Sequence, residues 1–157
     1  MSAPPDHAPP DHAAAGAGWD SALLMRLLRQ EEGLRLRPYR DTAGKLTIGI
    51  GRNLDDVGIS EAEALLLLGT DVARAAAGLD AGLGWWRGLD PVRRTVLADM
   101  AFNLGVERLC GFTAMLAAAR AGRWAAAAAD MRASLWARQV GPRAHALAEM
   151  METGREG

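Results

Sequence analysis

Two carboxylates and a hydroxyl lie close together in the sequence and are the first candidates for chemistry. Glu32 and Asp41 are nine positions apart, and Thr47 follows Asp41 by six. Hydrolysis of a glycosidic bond uses such a pair, because one carboxyl group protonates the leaving oxygen while the other handles water or the developing cation. Thr47 alternates with Leu46 and Ile48, so we expect its hydroxyl on the polar side of a strand, able to hold a water beside Asp41.

Each of these positions also has a structural interpretation. Glu32 stands at a helix end beside the chemically identical Glu31, although a negative charge near a helix C-terminus opposes the dipole and so slightly favours a functional role. Gly49 and Gly51 remove side chains where a bulky ligand could approach the backbone, and a twisted, glycine-bearing strand explains them equally well. The residue types alone leave both interpretations open.

The element that positions these groups is predicted to be a helix followed by a β-hairpin. Asp20 is a good N-cap for a helix that ends near Glu32, with Gly33 available as a left-handed cap. Residues 34–39 and 46–50 have the pattern of short strands, and residues 41–45 supply the turn.

The rest of the chain is predicted to be helical. Ser60 and Glu63 form a capping box that starts a long helix running to about residue 77. Asp90-Pro91 is a strong helix start and Gly105 its expected stop, and shorter helices are predicted at 113–120, 124–132, 135–138 and 143–152.

These elements predict an α+β, predominantly helical fold with two lobes. A small β-hairpin lobe, at about residues 19–60, is joined by the long helix to a helical lobe at about 61–155. Residues 1–18 are rich in Pro and Ala and cannot bury a core, so we expect a disordered tail before one domain at 19–157.

Composition excludes several classes of function. The formal net charge of −1 gives no electrostatic footprint for nucleic acid. No apolar run approaches the roughly 20 residues of a membrane span, and we interpret Leu65–Leu68 as core. The first residues lack the pattern of a signal peptide. Cys110 is expected to be a small buried apolar residue, and no metal spacing or phosphate loop is present, so neither metal nor cofactor is expected.

Adjacent tryptophans precede the Asp90 helix start and allow two interpretations. Trp85 and Trp86 could stack on sugars, but neighbouring tryptophans in a short segment between helices more often pack one ring inward. We favour packing.

Several motifs together resemble one family. They are Glu32-Gly33-Leu34-Arg35-Leu36, Tyr39, Asp41-Thr42, Gly44, Thr47-Ile48-Gly49-Ile50-Gly51, Asp90-Pro91, Ala101-Phe102-Asn103-Leu104-Gly105 and Ser134-Leu135-Trp136. In order and spacing this segment resembles the T4-type phage lysozymes of glycoside hydrolase family 24, endolysins that cleave the glycan strands of bacterial peptidoglycan. The resemblance covers residues 20 to about 154.

The resemblance implies roles for individual positions. Glu32 matches the general acid, Asp41 the second catalytic carboxylate, and Thr47 the residue that helps to place the attacking water. Substrate-binding positions implied in the same way are Phe102, Asn103, Gly51, Asn53, Met115 and Asp130, of which Met115 and Asp130 differ in type from the best-known member.

Two departures from the family pattern follow the Gly49-Ile50-Gly51 segment. Members often place there a histidine that pairs with the aspartate matching Asp71, whereas this chain has Arg52, for which we expect an ion pair with Asp71. Only residues 53–58 then precede the cap of the long helix, so we expect a trimmed small lobe where the longest-known member has a further strand and loop.

The implied activity is hydrolysis of the β-1,4 bond between N-acetylmuramic acid and N-acetylglucosamine, with inversion favoured by the resemblance. Alternatives are a lytic transglycosylase, which forms an anhydro product with one acid/base, and a non-catalytic peptidoglycan-binding protein. We expect a monomer that accumulates in the host cytoplasm and reaches the wall through a holin-type membrane lesion.

Overall fold

A computed structural model of the chain describes residues 19–156. The expectation of a disordered tail at residues 1–18 therefore lies outside the described residues. The chain divides into two compact units with a boundary between Ser60 and Glu61. We call residues 19–60 the small unit and residues 61–156 the helical unit, and describe each by itself.

The small unit consists of one helix and a three-stranded antiparallel sheet. Helix α1 spans Ser21–Glu32, and strands β1, β2 and β3 span Arg35–Arg40, Leu46–Gly49 and Arg52–Asn53, in the spatial order β1-β2-β3. The predicted helix and hairpin are confirmed. The two-residue strand β3 was not predicted, because so short an element depends on pairing with β2 rather than on its own pattern.

Both ends of α1 follow from local chemistry. Asp20 is the N-cap, and its Oδ1 accepts a hydrogen bond of 2.9 Å from the Leu23 backbone N–H. Gly33 ends the helix with φ 69° and ψ 170°. Its φ is positive, as predicted, but its ψ turns the chain directly into β1 rather than into a left-handed helical cap.

The helical unit contains seven helices among its described residues. Most bounds lie within a few residues of those predicted, although α2 runs past residue 77 to Gly82, and neither α4 nor a single 3-10 turn at Trp86–Gly88 was predicted. The helices are α2 Glu61–Gly82, α3 Pro91–Leu104, α4 Val106–Cys110, α5 Thr113–Arg120, α6 Trp124–Ala133, α7 Leu135–Val140 and α8 Pro142–Thr153.

An apolar core holds the helical unit together. Leu79 of α2, Leu97 and Met100 of α3, Met131 of α6 and Met151 of α8 are all fully buried. Helices from both ends of the unit thus share one apolar cluster. Burial of side chains of this size contributes about 1.5–3 kcal/mol each.

Arg93 fastens the end of α8 to the start of α3. Its Nε donates to the Met151 carbonyl at 2.7 Å and its Nη2 to the Glu152 carbonyl at 2.9 Å, while its Nη1 lies 2.8 Å from Asp90 Oδ2. The guanidinium also lies 4.0 Å from the centre of the Trp124 ring. One side chain thus satisfies two helix-end carbonyls that α8 leaves open.

The structure corrects one expectation about packing and bears out another. Leu65–Leu68 were expected in the core, but their side chains are 44–61% exposed. Trp86 is buried and only 5% exposed, and its indole N–H donates to Asp80 Oδ1 at 2.8 Å, whereas Trp85 is half-buried. One ring of the tryptophan pair therefore packs inward, as we favoured.

Cys110 is half-buried against the core.

Candidate active site

Glu32 is exposed at the last position of α1, and its carboxylate lies against the glycine turn that leaves β2. A Cβ built on Gly51 would lie 3.4 Å from Glu32 Oε2. Gly51 has φ +71°, a conformation that side-chain-bearing L residues rarely adopt. Glu32 therefore lies beside backbone whose conformation favours glycine, and two positions singled out from the sequence come together.

Asp41 is half-buried at the start of the turn between β1 and β2. Its Oδ1 accepts two backbone hydrogen bonds, from Ala43 N at 2.9 Å and from Lys45 N at 2.8 Å. Backbone bonds close the same turn, from Asp41 N to the Lys45 carbonyl at 3.0 Å and from Gly44 N to the Asp41 carbonyl at 2.9 Å. An aspartate at this place builds the turn through one oxygen and leaves Oδ2 for other partners.

Thr47 lies next to that second oxygen. Its side chain is 3% exposed, and its Oγ1 lies 3.1 Å from the Lys45 carbonyl and 3.5 Å from Asp41 Oδ2. A hydroxyl carries one proton, and O–H···O bonds are usually 2.5–3.0 Å long, so the Lys45 carbonyl is the better acceptor. Asp41 Oδ2 and the lone pairs of Thr47 Oγ1 remain able to accept hydrogen bonds from a water molecule.

Asn53 stands beside Thr47 in the sheet and braces the following turn. The two residues are paired in the register of β2 and β3. The Asn53 amide donates to Asp56 Oδ2 at 2.9 Å and its Oδ1 accepts from Asp56 N at 2.9 Å, while Lys45 Nζ lies 2.8 Å from Asp56 Oδ1. Both polar atoms of the Asn53 side chain thus hold the turn, so a contact with substrate remains a prediction.

Arg52 and Asp71 each make a contact inside their own unit. Arg52 Nε donates to the Gly58 carbonyl at 2.9 Å, and Asp71 Oδ1 lies 2.8 Å from Arg74 Nη1. The expected ion pair between Arg52 and Asp71 stays a prediction.

Phe102 and Asn103 are adjacent on α3 but have different surroundings. Phe102 is 44% exposed and lines a cavity of about 350 Å³ together with Asp71. Asn103 Oδ1 accepts a hydrogen bond of 2.9 Å from the Trp136 indole N–H, and the Trp136 ring makes an edge-on contact with Phe112, at 6.4 Å between ring centres. Asn103 thus supports an aromatic pair through its side-chain oxygen.

Met115 and Asp130 come together at a second cavity, of about 280 Å³, which Phe112 also lines. The environments of the two side chains differ. Met115 is 1% exposed and belongs to the core although it also lines the cavity, so its expected contact with substrate stays a prediction. Asp130 is exposed and makes no hydrogen bond or ion pair with the described residues. The structure therefore gives only Asp130 of this pair a polar group available to a ligand.

Sequence reasoning missed one polar bond that shapes the sheet. Asp55 Oδ2 accepts a hydrogen bond of 2.9 Å from Leu46 N, at the start of β2. The turn-forming composition of the Asn53-Leu54-Asp55-Asp56 segment was a usable signal, because Asn and Asp side chains bond to backbone in turns.

Neither a metal-binding cluster nor a membrane-spanning helix is found in the described part of the chain. Within residues 19–156 there is no group of three or more His, Cys, Asp or Glu side chains arranged to hold a metal ion. Across the same residues, none of the helices combines the length and the apolar character needed to cross a bilayer.

Comparison with known proteins places the chain in a family. The Phage lysozyme family model matches residues 29–151. Among similar curated proteins, Probable T4-type lysozyme 1 of Dictyostelium discoideum is 27% identical, over 82% of this chain and 92% of that protein. The SAR-endolysin of Escherichia phage Mu is 32% identical, over 76% of this chain and 70% of that protein.

A third relative carries a similar segment inside a longer chain. The Pre-baseplate central spike protein Gp5 of Enterobacteria phage T4 is 29% identical, over 83% of this chain but only 28% of that protein. The family match includes the last turn of α1 with Glu32, the sheet and turn that carry Asp41 and Thr47, and most of the helical unit. The chain belongs to the phage lysozyme family and is a glycosidase that hydrolyses peptidoglycan.

Proposed function

We propose that the protein cleaves the β-1,4 bond between N-acetylmuramic acid and N-acetylglucosamine, with Glu32 as general acid and with Asp41 and Thr47 positioning water. The observation that best supports this proposal is that the two carboxylate oxygens of Asp41 have different partners. One carboxylate oxygen is bound by the turn, and the other faces the Thr47 hydroxyl at 3.5 Å. That arrangement supplies two acceptors, held by the fold, for one water molecule.

In the proposed mechanism, attack by water and departure of the leaving sugar occur in one step. The water donates its two protons in hydrogen bonds to Asp41 Oδ2 and Thr47 Oγ1, and its oxygen lone pair attacks the anomeric carbon. Glu32 gives its proton to the glycosidic oxygen as the bond to that oxygen breaks. Asp41 takes a proton from the attacking water, so that one water is consumed and two chain ends are formed. Asp41 then loses this proton to solvent and Glu32 regains one from solvent, which restores both groups.

Attack by water from the face opposite the leaving oxygen inverts the anomeric configuration. The alternative, direct attack by Asp41 on the sugar, would require this carboxylate to approach the anomeric carbon. Its Oδ2 lies 3.5 Å from the hydroxyl of the buried Thr47, and the two groups together can hold a water, which favours the water-positioning role. We therefore propose an inverting hydrolase.

Exposed or cavity-lining residues supply further contacts to the glycan in this proposal. Phe102 offers an aromatic surface, Asp130 a carboxylate that bonds to no described residue, and the backbone at Gly51 leaves room beside Glu32. Asn103, Asn53 and Met115 hold the neighbouring structure, and their contact with the glycan stays a prediction.

The biological setting is also a proposal. The name of the phage Mu relative supports a role in phage-induced lysis. We propose that the protein acts as a monomer, collects in the host cytoplasm and reaches the peptidoglycan through a holin-type membrane lesion.

The test of the acid is a matched pair of variants at the end of α1. Glu32→Gln is expected to lower the rate of lysis of permeabilised Gram-negative cells by about 10²–10⁴-fold, because it removes the transferable proton. Glu31→Gln makes the same chemical change at the neighbouring exposed position and should leave the rate close to that of the unchanged protein. Circular dichroism should show both variants folded. Near-full activity of Glu32→Gln overturns the assignment.

Product analysis separates hydrolysis from its alternatives. Peptidoglycan digested in ¹⁸O-labelled water should yield reducing ends that carry the label, and NMR of fresh products should show the inverted anomer. Anhydro products without label would instead identify a lytic transglycosylase. Binding to cell walls without any loss of turbidity would identify a non-catalytic binding protein.

A further inference from the structure

One peptide group connects the proposed catalytic residues to the turn that follows β3. The carbonyl of Lys45 and the N–H of Leu46 belong to the same planar unit. The carbonyl accepts hydrogen bonds from Thr47 Oγ1 at 3.1 Å and from Asp41 N at 3.0 Å. The N–H donates to Asp55 Oδ2 at 2.9 Å. A carboxylate outside the catalytic step thus bonds to the peptide group that holds the Thr47 hydroxyl.

The Thr47 proton has two acceptors within reach, and they have different consequences for a bound water. On the Lys45 carbonyl, 3.1 Å away, the proton leaves the Thr47 lone pairs and Asp41 Oδ2 available to a water molecule. On Asp41 Oδ2, 3.5 Å away, the proton competes with water for the oxygen that is proposed to receive a proton from that water. The first arrangement is therefore the one that suits hydrolysis.

Asp55 favours this first arrangement electrostatically. A hydrogen bond to a carboxylate is stronger than a hydrogen bond to a neutral acceptor. A peptide group whose N–H is bonded in this way is more strongly polarised, and its carbonyl becomes a better acceptor for the next donor. The charge of Asp55 thus acts on Thr47 through the peptide between Lys45 and Leu46 rather than by contact.

The turn that carries Asp55 also supplies a matched control. Leu54 N donates to the Leu46 carbonyl at 2.7 Å, so both backbone groups of Leu46 bond to consecutive residues of this turn. Asp56 contacts Lys45 as well, but its Oδ1 lies 2.8 Å from the side-chain ammonium and does not bond to the peptide group. Both aspartates are exposed. They therefore differ in which atoms they hold rather than in type or surroundings.

We propose that Asp55 is a positioning residue for the hydrolysis and keeps the Thr47 proton on the Lys45 carbonyl. Thr47 Oγ1 and Asp41 Oδ2 then both accept hydrogen bonds from the attacking water. The inference rests on the proposed function, because it requires Asp41 and Thr47 to place that water. Asp55 itself contacts neither the water nor the glycan.

Steady-state kinetics on soluble, uncrosslinked glycan strands separate kcat from KM. Asp55→Ala is expected to lower kcat about three- to tenfold and to change KM less than about twofold, because it alters the placing of water and not the binding of glycan. Asp55→Asn keeps a neutral oxygen for Leu46 N and should recover part of the loss. Asp56→Ala breaks an exposed ion pair and should leave both constants within about twofold.

These kinetics can contradict the proposal in two ways. Equal kcat values for Asp55→Ala and Asp56→Ala overturn it, and so does a loss of activity confined to KM. Circular dichroism checks the fold of each variant. If Asp55→Ala unfolds, Asp55→Asn and Asp56→Asn give the same comparison with the turn retained.

A double-mutant cycle tests whether Asp55 acts through the Thr47 hydroxyl. Thr47→Val removes that hydroxyl with little change of shape and is expected to lower kcat about ten- to hundredfold. In this background Asp55→Ala should lower kcat by less than about twofold, because no hydroxyl proton remains to be oriented. A loss as large as in the unchanged protein would show a general effect on the turn and overturn the proposal.

The amide signal of Leu46 in ¹H–¹⁵N NMR tests the hydrogen bond without reference to activity. This signal should move upfield in Asp55→Ala, because the carboxylate acceptor is lost, and should move much less in Asp56→Ala. An unchanged Leu46 signal in Asp55→Ala would show that Asp55 does not hold this peptide group, which overturns the positioning role.

The two proposals fail in different ways. Full activity of Thr47→Val contradicts the placing of water by Asp41 and Thr47, and with it the positioning role of Asp55. A large loss of activity in Thr47→Val, together with equal kcat values for Asp55→Ala and Asp56→Ala, contradicts the positioning role alone.

Discussion

The small unit and the helical unit are stabilised by different kinds of interaction. Every buried hydrophobic side chain among the described residues belongs to the helical unit, whereas within residues 19–60 the one buried side chain is Thr47. In the small unit, carboxylates of Asp41 and Asp55 bind backbone N–H groups and thereby define the turns. The proposed catalytic groups thus lie where hydrogen bonds, rather than apolar packing, determine geometry.

The contrast predicts, first, a large loss of stability from a single core truncation. Leu97→Ala should lower the free energy of unfolding by about 2–5 kcal/mol, because it leaves a cavity in the fully buried centre of α3. Leu36→Ala, on a side chain of the small unit that is 79% exposed, should change it by less than about 0.5 kcal/mol. Urea denaturation of both variants measures this. Similar losses of stability in the two variants would show that the packing of Leu36 in the small unit contributes as much as that of Leu97 in the helical unit.

A second prediction separates shape from chemistry at Asp41. Asp41→Asn keeps an oxygen for Ala43 N and Lys45 N but removes the negative charge beside Thr47, so activity should fall about 10²-fold, equivalent to about 2.7 kcal/mol, with little loss of stability.

The companion variant Asp41→Ala loses the acceptor as well. It should be equally inactive and less stable than Asp41→Asn by about 0.5–2 kcal/mol, by analogy with the loss of other side-chain-to-backbone caps. Lysis rates and thermal unfolding distinguish the two. An active Asp41→Asn would refute the water-positioning role.

A third prediction concerns glycines with positive φ. Gly51→Ala and Gly44→Ala should each lower stability by about 1–2 kcal/mol, since both positions have positive φ, +71° and +78°. Only the Gly51 substitution places a methyl group against Glu32, because the space at Gly44 is open. Lysis normalised to folded protein should therefore fall for Gly51→Ala alone. Equal activities would mean that the approach of Glu32 to Gly51 has no role in catalysis.

The smallest predicted effect is a pH dependence in the helical unit. Burial opposes the charge of Asp90, but hydrogen bonds and charge from Arg93 outweigh it and lower the pKa of Asp90 from 3.8. Because the folded state lowers this pKa, the stabilisation is complete above the unfolded value and is lost as pH falls through the folded one.

Asp90→Asn should therefore be less stable than the unchanged protein at pH 6, by under about 1 kcal/mol because the pair is partly exposed, and the gap should close below about pH 4. The control is Asp130→Asn, since Asp130 bonds to no described residue. Chemical denaturation across pH 2–6 gives the comparison. A difference in stability that became larger in acid would contradict the predicted direction of the Asp90 pKa shift.

How much could be predicted from the sequence depended on whether the cause was local. The helix starts at Asp20 and at Asp90-Pro91 depend on side chains three positions or fewer from the backbone they cap, and both were predicted correctly. The grouping of Asp41 with Thr47 spans six positions but depends on a single short turn, so it could also be predicted. Bonds across the fold, such as those from Arg93 to the carbonyls of Met151 and Glu152, have no local pattern and were missed.

Side-chain direction was harder to predict. The sequence did not indicate that α5 turns Met115 into the core together with Leu116, Ala118 and Ala119, and the contact of Met115 with substrate stays a prediction. The leucines of Leu65–Leu68 occupy consecutive positions of α2, and four successive helical residues point around the whole circumference. No single face could have buried them all.

The double use of Asp41 also matters for protein engineering. Because one oxygen shapes the turn and the other is proposed to serve the reaction, the residue cannot be moved to another scaffold by itself. A graft would have to carry the whole segment from Asp41 to Thr47, with the two backbone–backbone hydrogen bonds and the two bonds to Asp41 Oδ1 that close its turn. The smallest transferable part of this site is thus a piece of folded chain rather than a set of side chains.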